Sequence, residues 1–162
     1  MNFKKMLSGT IIISNLLCGI ACAQPIEKNN RAYIIAGASS SSENPIHAGM
    51  GMIYYKPLSD DLLIGLELST LLENTNSEFN FGINLNKEFD NYSIMAGLGL
   101  TEIRFDNACI NERSSYIKGE IGKRIFDTSK IKFIYTQNLA DEKLVENNYP
   151  KQRISLGLET SF

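Results

Sequence analysis

A chain of 162 residues has room for one domain and not for two comfortable ones. Its 18 acidic residues exceed its 16 basic ones, and that balance argues against a nucleic-acid partner. A single histidine and three cysteines leave little material for a transition-metal site.

Residues 1–23 read as a Sec-type signal peptide. Lys4 and Lys5 form the basic start, Met6 to Ile20 is mostly apolar, and Ala21-Cys22-Ala23 fits a small-residue cleavage site. The mature chain, 24–162, is then expected to begin at Gln24. A transmembrane anchor is the rival reading, but the apolar run is short, broken by Ser8, Ser14 and Asn15, and followed by no stop-transfer charge cluster. Gly19-Ile20-Ala21-Cys22 offers lipoprotein processing as a third reading, with glycine where leucine is usual. Loss of Lys4 and Lys5 leaves 14 basic against 18 acidic residues, a formal charge of −4. Cys18 and Cys22 leave with the leader, so Cys109 stands alone and no intramolecular disulfide can form. The expectation for it is an ordinary loop thiol, with pairing between chains or chemistry as the alternative.

Beyond Gln24 the apolar residues recur with a period of two, the signature of strands. After a less sharply patterned segment over Arg31 to Ser39 come Ile46, Ala48, Met50, Met52 and Tyr54; then Leu62, Ile64, Leu66 and Leu68; then Phe79, Phe81, Ile83 and Leu85. The positions between them, such as His47, Gly49, Glu67, Asn80 and Asn84, are mostly small or polar. The rule continues through Tyr92 to Leu100, through Ile117 and Ile121 against Lys118 and Glu120, through Ile131, Phe133 and Tyr135, and ends with Ile154 to Phe162 against Arg153, Ser155 and Glu159. The count is eight segments of about 9 to 11 residues, the length a tilted strand needs to cross a bilayer. Pro25, Pro45, Pro57 and Pro150 fall outside or at the ends of segments, as expected of a residue that cannot donate to a ladder. Compact connectors near Lys56 to Asp61, Lys87 to Asn91 and Phe126 to Lys130 alternate with longer ones near Thr70 to Ser77, Arg104 to Arg113 and Leu139 to Pro150. Short periplasmic turns and longer extracellular loops are the matching pattern.

Alternation by itself leaves two barrels open. A soluble, lipocalin-like periplasmic barrel would hide the apolar set around a ligand cavity, whereas a membrane barrel turns it to lipid. Three features favour the second. The polar set carries both signs at Glu67, Lys118, Glu120, Lys132, Arg153 and Glu159, as charges that pair inside a barrel should. Tyr54, Tyr92 and Phe162 place aromatics near segment ends, where an interfacial girdle lies. The chain also stops on an aromatic residue of the apolar face.

That last strand, Arg-Ile-Ser-Leu-Gly-Leu-Glu-Thr-Ser-Phe from Arg153 to Phe162, resembles the terminal signature of outer-membrane β-barrels. With Ala32-Tyr33-Ile34-Ile35-Ala36-Gly37-Ala38 in the first segment, the mature chain resembles the small opacity and OmpX-like group over nearly its whole length. The resemblance implies an all-β, eight-stranded antiparallel up-and-down transmembrane β-barrel in a bacterial outer membrane, surrounded by its lipid and acting as a monomer. It also implies recognition of Phe162 by the barrel assembly machinery and display of loops to host surfaces or serum proteins.

Chemistry is sparse. His47, on the polar face near the outer end of the second segment, could act as general base in a lipid A-modifying enzyme, with a serine among Ser39 to Ser42 as nucleophile and Glu43 as orienting acid. That spacing matches no nucleophile motif, and a serine run before Pro45 ordinarily forms a loop. The lumen charges of an eight-stranded barrel are expected to pair rather than line a pore, because the interior is just wide enough for side chains. Asp60-Asp61 is a turn signal before it is a cation site. No catalytic, cofactor or metal residue is therefore assigned. The expected function is non-enzymatic: surface interaction through the polar, Asn-rich loops at 72–77, 105–111 and 141–148, or envelope integrity.

Overall fold

The computed structural model describes residues 29–40, 46–73, 76–105, 111–139, 144 and 149–162, the side chain of residue 111 aside. The expected leader, Glu43, Cys109 and most of the loop at 141–148 lie outside the described residues. Eight strands follow in order: β1 (Asn30–Ser39), β2 (Ile46–Pro57), β3 (Leu62–Leu72), β4 (Asn76–Glu88), β5 (Tyr92–Phe105), β6 (Asn111–Phe126), β7 (Ser129–Asn138) and β8 (Gln152–Ser161). Each pairs antiparallel with its sequence neighbours, and β8 returns to pair with β1, so the sheet is a closed barrel. Closure satisfies every strand edge, which hydrocarbon requires because it offers no water to an unpaired N–H or C=O. Among the described residues no helix is long and apolar enough to cross a membrane.

The period of two sorts side chains cleanly. Ile34, Tyr54, Leu66, Phe81, Leu98, Leu100, Ile117, Phe133 and Leu156 point outward, and Leu98 and Leu100 are 64% and 66% exposed. Soluble monomers seldom show contiguous apolar patches beyond a few hundred Å², whereas this band circles the barrel. Its solvent is lipid, and the soluble ligand-binding reading, which needs the apolar set inside, fails on this observation. The opposite parity turns inward: Arg31, His47, Glu67, Asn84, Lys118, Lys132, Arg153 and Glu159 are all buried.

Two differences from the sequence pattern matter for the surface. Strands β4, β5 and β6 run to 13, 14 and 16 residues, longer than a bilayer crossing needs. The connector expected near Thr70 to Ser77 shrinks to residues 73–75, because the β3–β4 ladder continues to the Leu72–Ser77 register pair. Polar residues beyond the apolar belt still alternate in and out, so the antiparallel ladder has no reason to stop at the membrane surface.

Apolar residues inside the barrel also break the simple rule. Tyr33, Ile53, Tyr55 and Met95 form a buried cluster with Ile35 and Leu63 packed against it. A second cluster joins Ile103, Leu144 and Tyr149, with Phe105 beside it, at the end where the β5–β6 and β7–β8 connections lie.

Candidate functional site: the lumen and its outer mouth

Strand alternation delivers charged side chains into the lumen from every side, and they meet in three groups along its axis. At the end of the short turns, Arg31 Nη1 contacts Glu88 at 2.8 Å and Glu159 at 3.3 Å, Lys130 Nζ contacts Glu88 at 2.6 Å, and Lys132 Nζ bridges Glu120 and Glu159. The Arg31 guanidinium also stacks over the Tyr55 ring at 4.5 Å. Mid-barrel, Glu67 accepts from the Tyr33 hydroxyl, the Lys118 ammonium and Asn84 Nδ2, the last at 2.7 Å. At the long-loop end, Arg153 donates from Nη1 to Glu78 at 3.1 Å and from Nε to Glu73 at 3.0 Å, its Nη2 forming the second arm of the Glu78 fork. The Tyr149 ring covers that guanidinium at 5.1 Å.

The expected pairing of Glu67, Lys118, Glu120, Lys132, Arg153 and Glu159 is thus realised, with Glu73, Glu78, Glu88, Arg31 and Lys130 completing the network. An isolated buried charge would cost several kcal/mol, roughly, so each sign needs its opposite within reach. A cavity of about 40 Å³ lies among Glu67, Glu78, Tyr116, Arg153 and Ser155, room for one or two water molecules. Among the described residues the Tyr116 hydroxyl lacks a partner and is a natural anchor for one.

His47 lies where the alternation placed it, facing inward near the long-loop end, and the hydroxyl it meets is on β8. Its Nε2 stands 2.7 Å from Ser155 Oγ on β8. β1 separates the two strands: Gly37 pairs with His47 on one side and with Ser155 on the other. A Cβ at Gly37 would come within 2.9 Å of His47 Nε2 and 2.0 Å of the Ile154 carbonyl oxygen, so glycine there lets imidazole and hydroxyl meet across the intervening strand. The signal for Ser155 was its inward parity, but only barrel closure brings β8 within reach of β2.

A serine hydrogen-bonded to histidine is half of an acyl-transfer nucleophile; the other half is a group that fixes the imidazole through Nδ1. Here His47 Nδ1 has no partner among the described residues, and His47 and Ser155 are 1% and 3% exposed. Arg153, two residues along the same strand face, has its guanidinium committed to Glu73 and Glu78. Among the described residues no group of His, Cys, Asp and Glu has the arrangement of a metal site.

No protein-family model matches the chain, and no curated protein matches it in sequence. Solved structures do match in shape. A designed transmembrane β-barrel is similar with a TM-score of 0.60 and 11% identity, over 86% of this chain and 99% of the other. The N-terminal β-barrel domain of Pseudomonas aeruginosa OprF matches with a TM-score of 0.55 and 14% identity, over 83% and 98%. Neisserial surface protein A matches with a TM-score of 0.50 and 14% identity, over 82% and 96%. Likeness at these identities shows the fold and selects no activity. With its closed eight-strand sheet, its lipid-facing apolar band and its ion-paired lumen, the chain has the fold of the small outer-membrane β-barrels.

Proposed function

We propose that this protein is a non-enzymatic, monomeric barrel of the bacterial outer membrane that acts through its outward loops, as a surface-interaction module, or through its body, in envelope integrity. The observation that carries this reading is the filled lumen. Among the described residues three ion-pair groups and two apolar clusters occupy the interior, and the cavity between Glu67 and Arg153 is about 40 Å³, which supports a structural rather than a substrate-handling lumen. The remaining functional surfaces are the lipid face and the loops. The name of Neisserial surface protein A agrees with a surface role.

Two experiments test the proposal. Cells expressing the chain are fractionated, and the outer membrane is run on gels with and without boiling; a heat-shifted band is expected, and an unshifted protein in the osmotic-shock fluid overturns the location. Intact cells carrying barrels whose residues 139–151 or 104–113 are replaced by a short turn are then compared for adhesion to host-cell and serum-protein surfaces. Lost adhesion with unchanged barrel yield is the expected result for a surface-interaction role. Unchanged adhesion accompanied by a leaky envelope in a deletion strain assigns the role to the body instead.

The 2.7 Å His47–Ser155 contact keeps a lipid A-modifying enzyme as the second reading. It requires that Ser155→Ala and His47→Ala alter the lipid A mass profile while leaving the heat-shifted band intact. The proposal expects no change in that profile. Phe162, whose backbone N–H donates to the Asn30 carbonyl at 3.1 Å, is proposed as the residue read by the assembly machinery; Phe162→Ser should lower barrel yield in cells without affecting refolding of the purified chain.

A further inference from the structure

Gly119 stands apart from the other described glycines. The inward-facing ones are packed: at Gly37, Gly51 and Gly99 a Cβ would lie 2.6 Å or less from its nearest neighbour, whereas a Cβ at Gly119 meets nothing within 4 Å. By the parity of β6, between buried Lys118 and Glu120, Gly119 faces lipid. A glycine in a strand interior forgoes side-chain packing and β-propensity, and here no close approach inside the protein accounts for it. In the register Gly119 lies opposite Ala96, which in turn lies opposite Leu85, so two small residues sit side by side in the apolar band. The result is an open groove of about 540 Å³ on the outer wall, floored by Ala96 and Gly119 and walled by Leu85, Leu98, Ile117 and Tyr135.

The same two strands carry the cations. Arg104 on β5 and Arg113 on β6 are exposed and share the outward face with Ala96 and Gly119, at the long-loop rim just above the belt. Neither is in an ion pair among the described residues. Glu102, opposite Arg113 in the register, leaves the trio with one net positive charge. From Arg113 to Gly119 is six residues, roughly 20 Å along the strand and roughly 15 Å of membrane depth at the usual tilt. That is about half the hydrocarbon thickness, the depth one acyl chain reaches below its headgroup.

We propose that the β5–β6 wall is a specific site for one phosphorylated, acylated lipid of the outer leaflet, of the lipid A type, with phosphate at Arg104 and Arg113 and a chain end in the Ala96–Gly119 groove. Charge complementarity at the rim, continuity with the lipid face and the match of depth to chain length select this occupant over a protein partner. The inference rests on the outer-membrane reading. Folding is followed by the heat shift and lipid retention separately, so failure of that reading and failure of this site give different results.

The test uses the full mature chain refolded in detergent, incubated with lipid A or with phosphatidylglycerol, and examined by native mass spectrometry. Wild type should hold one lipid A and prefer it to phosphatidylglycerol. Gly119→Leu, whose Cβ meets nothing within 4 Å and whose side chain would enter the groove, and the double variant Arg104→Gln/Arg113→Gln should each lower retention about tenfold, the scale of two charge-assisted hydrogen bonds or one excluded chain end. Ala36→Leu, on the lipid face of β1, should leave it unchanged. Equal retention by all four proteins, or equal retention of phosphatidylglycerol, overturns the proposal. So does loss of lipid A in Ala36→Leu to the same extent as in Gly119→Leu.

Discussion

Glu67 shows what a single side chain contributes in this lumen. Its carboxylate takes three donors, from Tyr33, Asn84 and Lys118, so removing it strands a buried ammonium as well as two neutral donors. Glu67→Ala should therefore lower stability by about 3–5 kcal/mol in urea unfolding from lipid vesicles, whereas Glu67→Leu with Lys118→Leu should recover most of that loss. A single-variant loss below about 1 kcal/mol would mean that the pair is hydrated rather than buried. Arg153 has a different readout. Arg153→Ala leaves Glu73 and Glu78 unpaired beneath Tyr149, and Arg153→Lys cannot reproduce the fork. Both should make residues 139–151 sensitive to protease added to intact cells while the heat-shifted barrel band persists.

Turns and strands carry the next set of consequences. The β2–β3 turn is pinned by Ser59 Oγ donating to Asp61 Oδ1 at 2.9 Å and by Lys87 Nζ at 3.3 Å. The Ser59 hydroxyl first, and Lys87 second, hold the exposed Asp61 carboxyl below the ordinary aspartate range. A depressed folded pKa stabilises the turn above the ordinary value of about 3.9, and that contribution is lost as pH falls through the lower folded value. An NMR titration of Asp61 should show the low midpoint, and Ser59→Ala should raise it. Along the strands, depth sets the penalty for charge. Leu98→Arg in the middle of the band should cost about 2–4 kcal/mol and Leu58→Arg, at the turn, about 0–1 kcal/mol. Similar losses at the two positions would contradict the lipid-facing assignment of the band.

At the scale of the whole molecule, closure is what makes the separate strands a membrane protein. Ending the chain at residue 151 removes β8 and leaves β1 and β7 with unpaired edges, so the truncated chain should aggregate and show no heat shift.

The sequence alone determined the strand count and the alternation of faces, because a strand's period of two writes itself directly into neighbouring residues, whereas the long connector it suggested at Thr70 to Ser77 is a three-residue connection. It also placed His47, Glu67, Lys118 and Arg153 on one face before any pairing was known. Its pattern was blurred where Met52, Ile53, Tyr54 and Tyr55 are all apolar, and that run hid the inner cluster around Ile53 and Tyr55. Only the tertiary structure decided who meets whom: Ser155 with His47 across Gly37, Glu78 with Arg153 over 75 residues of sequence, and the open groove at Gly119. Such contacts depend on register and on the joining of β8 to β1. These are global properties of a closed sheet that no local run of residues encodes.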